Sequence, residues 1–227
     1  MDRFETELDA LKQRLMVMAS CAETAVRRAL QALWERDDGL ALQVKESDRV
    51  IDRLEIEIDD LGIQQLAKAP LAGDLRLVTV ATKIAHDLER VGDEAAKIAR
   101  RAADLSREPA IPIQLDVPAM ASLALDMLET ALAAFRHCDP ALARRVLPRD
   151  KEVDLFNTQV HRLLAQFMAE HPDTIKRCLH WMVVSRSLER IADHATNIAE
   201  DVVYLCEAQN IRHTGAKLVP AIESPSR

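Results

Sequence analysis

Glycine and aromatic residues are scarce in this 227-residue chain, with five glycines and 3% Phe, Trp and Tyr together. Sheets and tight β-turns draw on those residue types, so the shortage disfavours a β-rich fold. The abundance of Ala, Leu, Glu and Arg favours helices. Cysteine is also sparse. Cys21, Cys138, Cys178 and Cys206 stand isolated with no C-x-x-C spacing. They are expected to be reduced, mostly buried small hydrophobes, and no structural zinc site of the cysteine type can be built from them. No run of basic residues occurs and the formal charge is −7, which disfavours nucleic acid as a partner. No uncharged stretch is long enough to span a bilayer. The opening residues Met1-Asp2-Arg3-Phe4-Glu5 lack the apolar core of a secretory signal.

Several catalytic signatures are missing as well. None of the seven histidines has Glu three residues before it, as the di-iron bundles require, and His-Glu-x-x-His does not occur. The one His-Asp doublet, His86-Asp87, has no histidine upstream of it, which an HD-type phosphohydrolase would need. There is no Gly-rich phosphate loop, and no Ser, Cys or Lys lies in a recognisable nucleophile setting. Catalysis lacks a candidate.

What is present is periodicity. Breakers fall at Asp37 to Gly39, Pro70 to Gly73, Glu108 to Pro118, Asp139-Pro140 and His171-Pro172. The segments between them predict six helices over about 4–36, 39–69, 74–106, 118–137, 140–169 and 173–207. Pro148 should kink or break the fifth near its start. In the third, Ile84, Leu88, Val91, Ala95, Ile98, Ala102 and Leu105 step by four and three, the stripe of a bundle helix. Val184, Leu188, Ile191, Ala195, Ile198, Val202 and Leu205 repeat it in the sixth. Ala81, Ala85, Gly92 and Ala99 widen the buried face and permit close approach of a neighbour.

The third and sixth helices are copies of one another. Leu88-Glu89-Arg90-Val91-Gly92-Asp93 aligns with Leu188-Glu189-Arg190-Ile191-Ala192-Asp193, and Asp48 to Asp52 with Asp150 to Asp154. The chain therefore reads as all-α, two tandem three-helix bundles made by duplication. The boundaries are 1–107 for the first bundle, 108–117 for a linker, 118–207 for the second bundle and 208–227 for a tail.

Packing explains the apolar half of the repeat but not its acids. Asp48 with Asp52, Glu89 with Asp93, Asp150 with Asp154, and Glu189 with Asp193 each lie four apart, on one helix face. Such like-charge pairs cost an isolated helix a few tenths of a kcal/mol. Relative to Leu88, Glu89 and Asp93 project at roughly 100° and 140°, with the apolar stripe near 320°. The pair is thus expected to face away from the main core. Asp48, Asp52, Glu55 and Asp59 extend the acids along the second helix, answered by Asp150, Asp154, Asn157 and His161 on the fifth. If the second and third helices of each unit are neighbours, the stripes converge. The site would then suit a cation that takes oxygen ligands, such as Mg, Mn or Fe. Arg90 and Arg190 are expected to pair with acids on adjacent helices. Two other readings of the acids remain: a structural helical interaction module with a solvated acidic surface, and a metal-dependent phosphohydrolase.

Ser187 to Asp193, Asp87 to Asp93, the Asp-x-x-x-Asp segments, Asp74-Leu75-Arg76 after Pro70, and Asn210 to His213 together resemble the PhoU family of phosphate-transport regulators. The resemblance spans essentially the whole chain. It implies a cytoplasmic, non-enzymatic regulator, peripheral at the inner membrane through its partners. Those partners would be the ATP-binding subunit of a phosphate ABC transporter and a phosphate-sensing histidine kinase, both restrained when phosphate is plentiful. It also implies a homodimer, no membrane insertion, and metal held by (Glu/Asp)-x-x-x-Asp motifs. These are matched here by Asp48, Asp52, Glu89, Asp93, Asp150, Asp154, Glu189 and Asp193. One departure is Ala192, where the family usually has Gly. Lys97 and Arg100 correspond to Asn197 and Glu200, so the two sites need not be equivalent in charge.

Overall fold

The architecture was obtained as a computed structural model, which describes residues 3–68 and 71–212. The motif residues Pro70 and His213, and most of the 208–227 tail, lie outside the described residues. The described residues form seven α-helices in order: α1 Arg3–Glu35, α2 Asp38–Leu66, α3 Ala72–Ser106, α4 Val117–His137, α5 Pro140–Arg144, α6 Asp150–Glu170 and α7 Ile175–Glu207. Among the described residues there is no strand. The expected fifth helix is divided. Pro148 sits in a one-turn 3-10 segment, Leu147–Arg149, that separates α5 from α6, because proline lacks the N–H an α-helix interior needs. A second such segment, Pro172–Thr174, leads into α7.

The duplication is visible in the turns as well as in the helices. α1 ends on Arg36 in the left-handed region (φ 57°), and Asp37 then caps α2, its Oδ1 accepting from the Leu40 amide at 3.0 Å. α4 ends on Cys138 (φ 47°), and Asp139 caps α5 through the Leu142 amide at 2.9 Å. An αL residue closes the first helix, and an N-cap carboxylate satisfies an orphan N–H of the next. Asp139→Ala should cost about 1 kcal/mol, and Asp37→Ala a similar amount, read as paired shifts in the urea midpoint. Unequal losses of more than about 1 kcal/mol would show that the two turns are not energetic equivalents.

α1, α2 and α3 pack on one another to form the first bundle, and α4, α5, α6 and α7 form the second. The two are joined along α3 and α7, which also pack on each other. Ile84, Leu88, Val91, Ala95 and Ile98 of α3 are fully buried, as are Val184, Leu188, Ile191, Ala195 and Ile198 of α7. Burial on this scale is the main stabilising term. Ala81, Ala85, Gly92 and Ala99 are buried as expected. Close approach is real at two glycines. A Cβ on Gly62 of α2 would lie 2.8 Å from Thr82 Cγ2, and one on Gly92 would lie 2.8 Å from Ile51 Cδ1.

The segment between α3 and α4 is tied down rather than a free spacer. Arg36 donates to the carbonyls of Leu105, Ser106 and Glu108, Lys176 donates to Glu108 at 2.7 Å, and Trp34 stacks on Trp181 with centroids 6.2 Å apart. α4 is long and apolar enough to cross a bilayer, but Met120, Ala124, Met127, Leu128 and Ala131 are spent on the core.

The cysteine expectation is corrected. Cys138 and Cys206 form a disulfide with Cα atoms 6.1 Å apart, and Cys178 alone of the four is fully buried. Sequence isolation misled here, because the C-terminal ends of α4 and α7, 68 residues apart in the chain, finish side by side.

Candidate functional site

α2 lies against α3, and α6 against α7, so each acidic stripe meets the repeat's Glu-x-x-x-Asp pair across a helix–helix groove. The expectation that the pairs face away from the core needs correction. Glu189 is buried at 9% exposure and Glu89 is half-buried. The physical reason is position: α3 has α1, α2 and α7 on its flanks, so the polar side of its wheel is covered by a neighbour rather than by water. Asp48, Asp93 and Asp150 are half-buried, while Asp52, Asp154 and Asp193 lie at the open rim.

In the first bundle, burial and the charges of Asp52 and Asp93 push the Asp48 carboxyl up to about 6, with Arg100 and Lys97 opposing. Glu89 is also raised, by burial first, with Arg90 opposing and Asp93 and Glu55 adding to it. Gly92 lets α2 close in: the position of its missing Cβ is 3.2 Å from Asp48 Oδ1.

In the second bundle all four expected carboxylates act on one another. Asp193, although open to solvent over part of its surface, is pushed up to about 6 by burial of its carboxyl and by Glu189, Asp150 and Asp154. Burial raises Asp150 with help from Asp154, against a hydrogen bond from Thr196 Oγ1 at 3.4 Å. Burial also raises Glu189, against Arg186. Glu189 Oε1 accepts from Arg186 at 2.7 Å, yet its buried Oε2 accepts no hydrogen bond, and neither does the buried Oε2 of Glu89. Buried carboxylate oxygens without donors are costly, and a bound cation would satisfy them. An all-oxygen donor set of several carboxylates fits a hard or borderline divalent ion.

The two carboxylate groups have different charged surroundings. Lys97 and Arg100 both oppose the rise of Asp48, whereas its counterpart Asp150 is opposed by the Thr196 hydrogen bond and Glu189 by Arg186 and Arg190. The break at Pro148 also makes Asp150 a first-turn residue of α6, where the helix dipole favours a negative charge. Asn157 accepts from Ser185 Oγ at 2.6 Å, and His161 on α6 is half-buried with Nε2 making no hydrogen bond.

Of the arginines after each Glu, Arg190 reaches an adjacent helix, donating to Glu94 at 3.1 Å. Arg90 does not. It stands 3.3 Å from Glu89 and 3.6 Å from Asp93 of its own helix, because the acids within its reach are the motif acids themselves.

Sequence reasoning missed the polar seam between α3 and α7. Burial would raise Glu94, but hydrogen bonds from Lys97, Ser187 and Arg190 outweigh it and hold the carboxyl below its usual range. One turn-pair away, Asp87 contacts His194 Nδ1 at 2.8 Å and accepts from Asn197 Nδ2 at 3.2 Å. Glu94 with Ser187 and His194 with Asp87 are the same contact made twice by antiparallel copies. The signal was present: Asp87 with Glu94 and Ser187 with His194 are polar residues seven apart, in register in both repeats. His86 turns to Glu55, while Asp87 contacts His194.

Comparison with known proteins agrees with this architecture. The PhoU domain profile matches twice, over residues 15–102 and 117–202. The chain belongs to the PhoU family. A Pseudomonas putida protein named phosphate-specific transport system accessory protein PhoU homolog is 41% identical over 221 residues, covering 96% of this chain and 86% of that one. The crystal structure of PhoU from Pseudomonas aeruginosa superposes with a TM-score of 0.89 at 41% identity, covering 91% of this chain and all of its own. The phosphate transport system regulatory protein PhoU from Streptococcus pneumoniae gives a TM-score of 0.85 at 26% identity, over 92% and 99% of the two chains. The family resemblance and the two three-helix bundles expected from sequence are both borne out.

Proposed function

We propose that this chain is a non-enzymatic regulator of phosphate uptake and phosphate-starvation signalling. In this reading it restrains a phosphate ABC transporter through the ATP-binding subunit, and a phosphate-sensing histidine kinase, when phosphate is plentiful. Its relatives are named accessory and regulatory proteins of phosphate transport, which supports the role. It would work at the cytoplasmic face of the membrane without inserting, and as a homodimer. The helical exterior offers docking surface: Ile175, Leu179 and Val183 are exposed at four-residue spacing along α7, a stripe that a partner helix fits.

What supports the metal reading is that Glu189, Asp150 and Asp154 all raise the Asp193 carboxyl at the α6/α7 groove, although among the described residues these four do not bring three ligand atoms within 4.8 Å of one another. Across α2/α3, Asp52 and Asp93 raise Asp48 in the same way, whereas the acids that raise Glu89 are Asp93 and Glu55. These residues would hold Mg, Mn or Fe, and the ion would neutralise charges that the fold otherwise forces together.

Two measurements test the proposal. Metal analysis of protein purified without added metal should find bound ions, reduced in Glu89→Ala and again in Glu189→Ala. Negligible, unchanged metal in all three would sink the binding claim. In the host, deleting the gene should switch on a phosphate-starvation reporter at high phosphate, and the wild-type copy should silence it. A reporter that stays silent after deletion would overturn the regulatory reading.

A further inference from the structure

Next to the first carboxylate group, the α2/α3 groove changes its donor chemistry. Glu55, His86 and Glu89 each offer one ligand atom, and the three atoms lie within 4.8 Å of one another. His86 Nδ1 is 3.1 Å from Glu55 Oε1. Two ligands about 2.1 Å from one ion, at tetrahedral or octahedral angles, stand roughly 3.0–3.4 Å apart, so this pair already has a metal-ligand separation. A hydrogen bond alone would account for His86 and Glu55, but it leaves Glu89 out. The Oε2 of Glu89 is buried and accepts no hydrogen bond, with the Arg90 guanidinium 3.3 Å away. Glu55 and His86 both line an open cleft of about 580 Å³, bounded also by Lys83, Asp87, Asn197 and Arg212. An ion at this trio would therefore keep open positions for water or an exogenous ligand.

We infer that Glu55, His86 and Glu89 form a separate binding site for a single first-row divalent cation of borderline softness, such as Zn, Co or Fe(II). One imidazole and two carboxylates select those ions over Mg, which prefers six oxygens and gives up its water reluctantly. The second bundle has no counterpart, because Asn157 stands where Glu55 does and Arg186 where His86 does. The site deepens the metal reading above and shares Glu89 with it, yet it does not need the four-carboxylate groups to be loaded.

The test uses the full-length, metal-stripped chain titrated with Co(II) in excess Mg(II), followed by the visible absorption of the bound ion. The wild type should hold one Mg-resistant Co(II). His86→Ala should weaken that ion at least about tenfold, given that even outer-shell changes cost 10–100-fold. Glu55→Gln should weaken it too, while Asp48→Asn with Asp52→Asn should leave it in place. His86 has 59% of its side chain exposed, so its truncation spares the core, and an unchanged far-ultraviolet spectrum confirms this. Two outcomes overturn the site: no Mg-resistant Co(II) in the wild type, or equal affinity in His86→Ala. Loss of the ion in the Asp48/Asp52 variant also overturns it, by placing the ion in the carboxylate group instead. Mn(II) binding without added Mg, measured in parallel and lost with Asp48 and Asp52, reports on the carboxylate group alone.

Discussion

Asp150→Asn combined with Asp193→Asn stabilises the metal-free protein while removing the cation response of the second bundle. In the folded chain the Asp193 carboxyl sits at about 6 against an ordinary value of 3.8, and Asp150 is raised in the same direction. A carboxyl whose folded pKa exceeds its unfolded one binds more protons when folded. Stability therefore rises as pH falls through 6 towards 4, and the penalty is fully present above 6. Asp48, also at about 6, adds to the same slope. The full Asp193 shift would correspond to roughly 3 kcal/mol, but Asp193 reaches solvent, so on the order of 1 kcal/mol for that group is the working figure, with Asp150 adding in the same direction. Asn keeps the shape and removes the charge. The double variant should melt at least about 2–4 °C higher at pH 7 in chelator, the share from Asp193 alone, and the gain should vanish near pH 4.

With ions present the order reverses. Wild type gains about 2.7 kcal/mol from each site at a hundredfold excess over Kd, and the variant forfeits the α6/α7 share. Differential scanning at pH 5 and pH 7, with chelator and with Mn(II), reads both effects. A variant less stable than wild type without metal would mean that these acids support the fold, which would defeat the reading.

That opposition of stability and binding is what made the site legible in the sequence. Like charges four apart are tolerated twice over in a duplicated chain only if something offsets them, and no packing argument asks for Glu89, Asp93, Glu189 and Asp193. The helices were legible for a simpler reason: the apolar stripes of α3 and α7 follow one heptad for five turns or more, and breakers bound each segment. What stayed hidden depended on contacts between helices distant in sequence. A helical wheel for α3 knows one core direction, so it turned Glu89 and Asp93 away from the core, although Glu89 is largely covered. The disulfide joins residues that share no local pattern. His86 with Glu55 links two helices whose relative register no single-helix argument supplies. The Asp87–His194 and Glu94–Arg190 contacts needed the knowledge that α3 and α7 run antiparallel against each other.

Register between α2 and α3 hangs on Gly92, and Gly92→Leu should break both packing and site in the first bundle. A Cβ there meets Ile51 Cδ1 at 2.8 Å and Asp48 Oδ1 at 3.2 Å, and Ile51 is itself 1% exposed. Alanine is the mild case. The tip of Ile51 can yield, and helix propensity returns about 1 kcal/mol, so Gly92→Ala should stay within about 1 kcal/mol of wild type. Leucine adds three further carbons to space already filled. Overpacking of this kind costs about 1–3 kcal/mol, and more where the backbone must move. α2 can relieve it only by backing away from α3, which carries Asp48 and Asp52 away from Glu89 and Asp93. The first bundle should then lose its cation while the second keeps its own.

The reciprocal change isolates packing from chemistry. Ala192 occupies the equivalent place in α7 and is buried at 1% exposure, so the second copy already accommodates a Cβ. Ala192→Gly should cost about 1 kcal/mol through helix propensity and leave cation binding at α6/α7 intact. Urea midpoints and Mn(II) stoichiometry for Gly92→Leu, Gly92→Ala and Ala192→Gly together decide the point. If Gly92→Leu kept the wild-type midpoint and full stoichiometry, the close approach at Gly92 would not be what holds the α2 carboxylates in place.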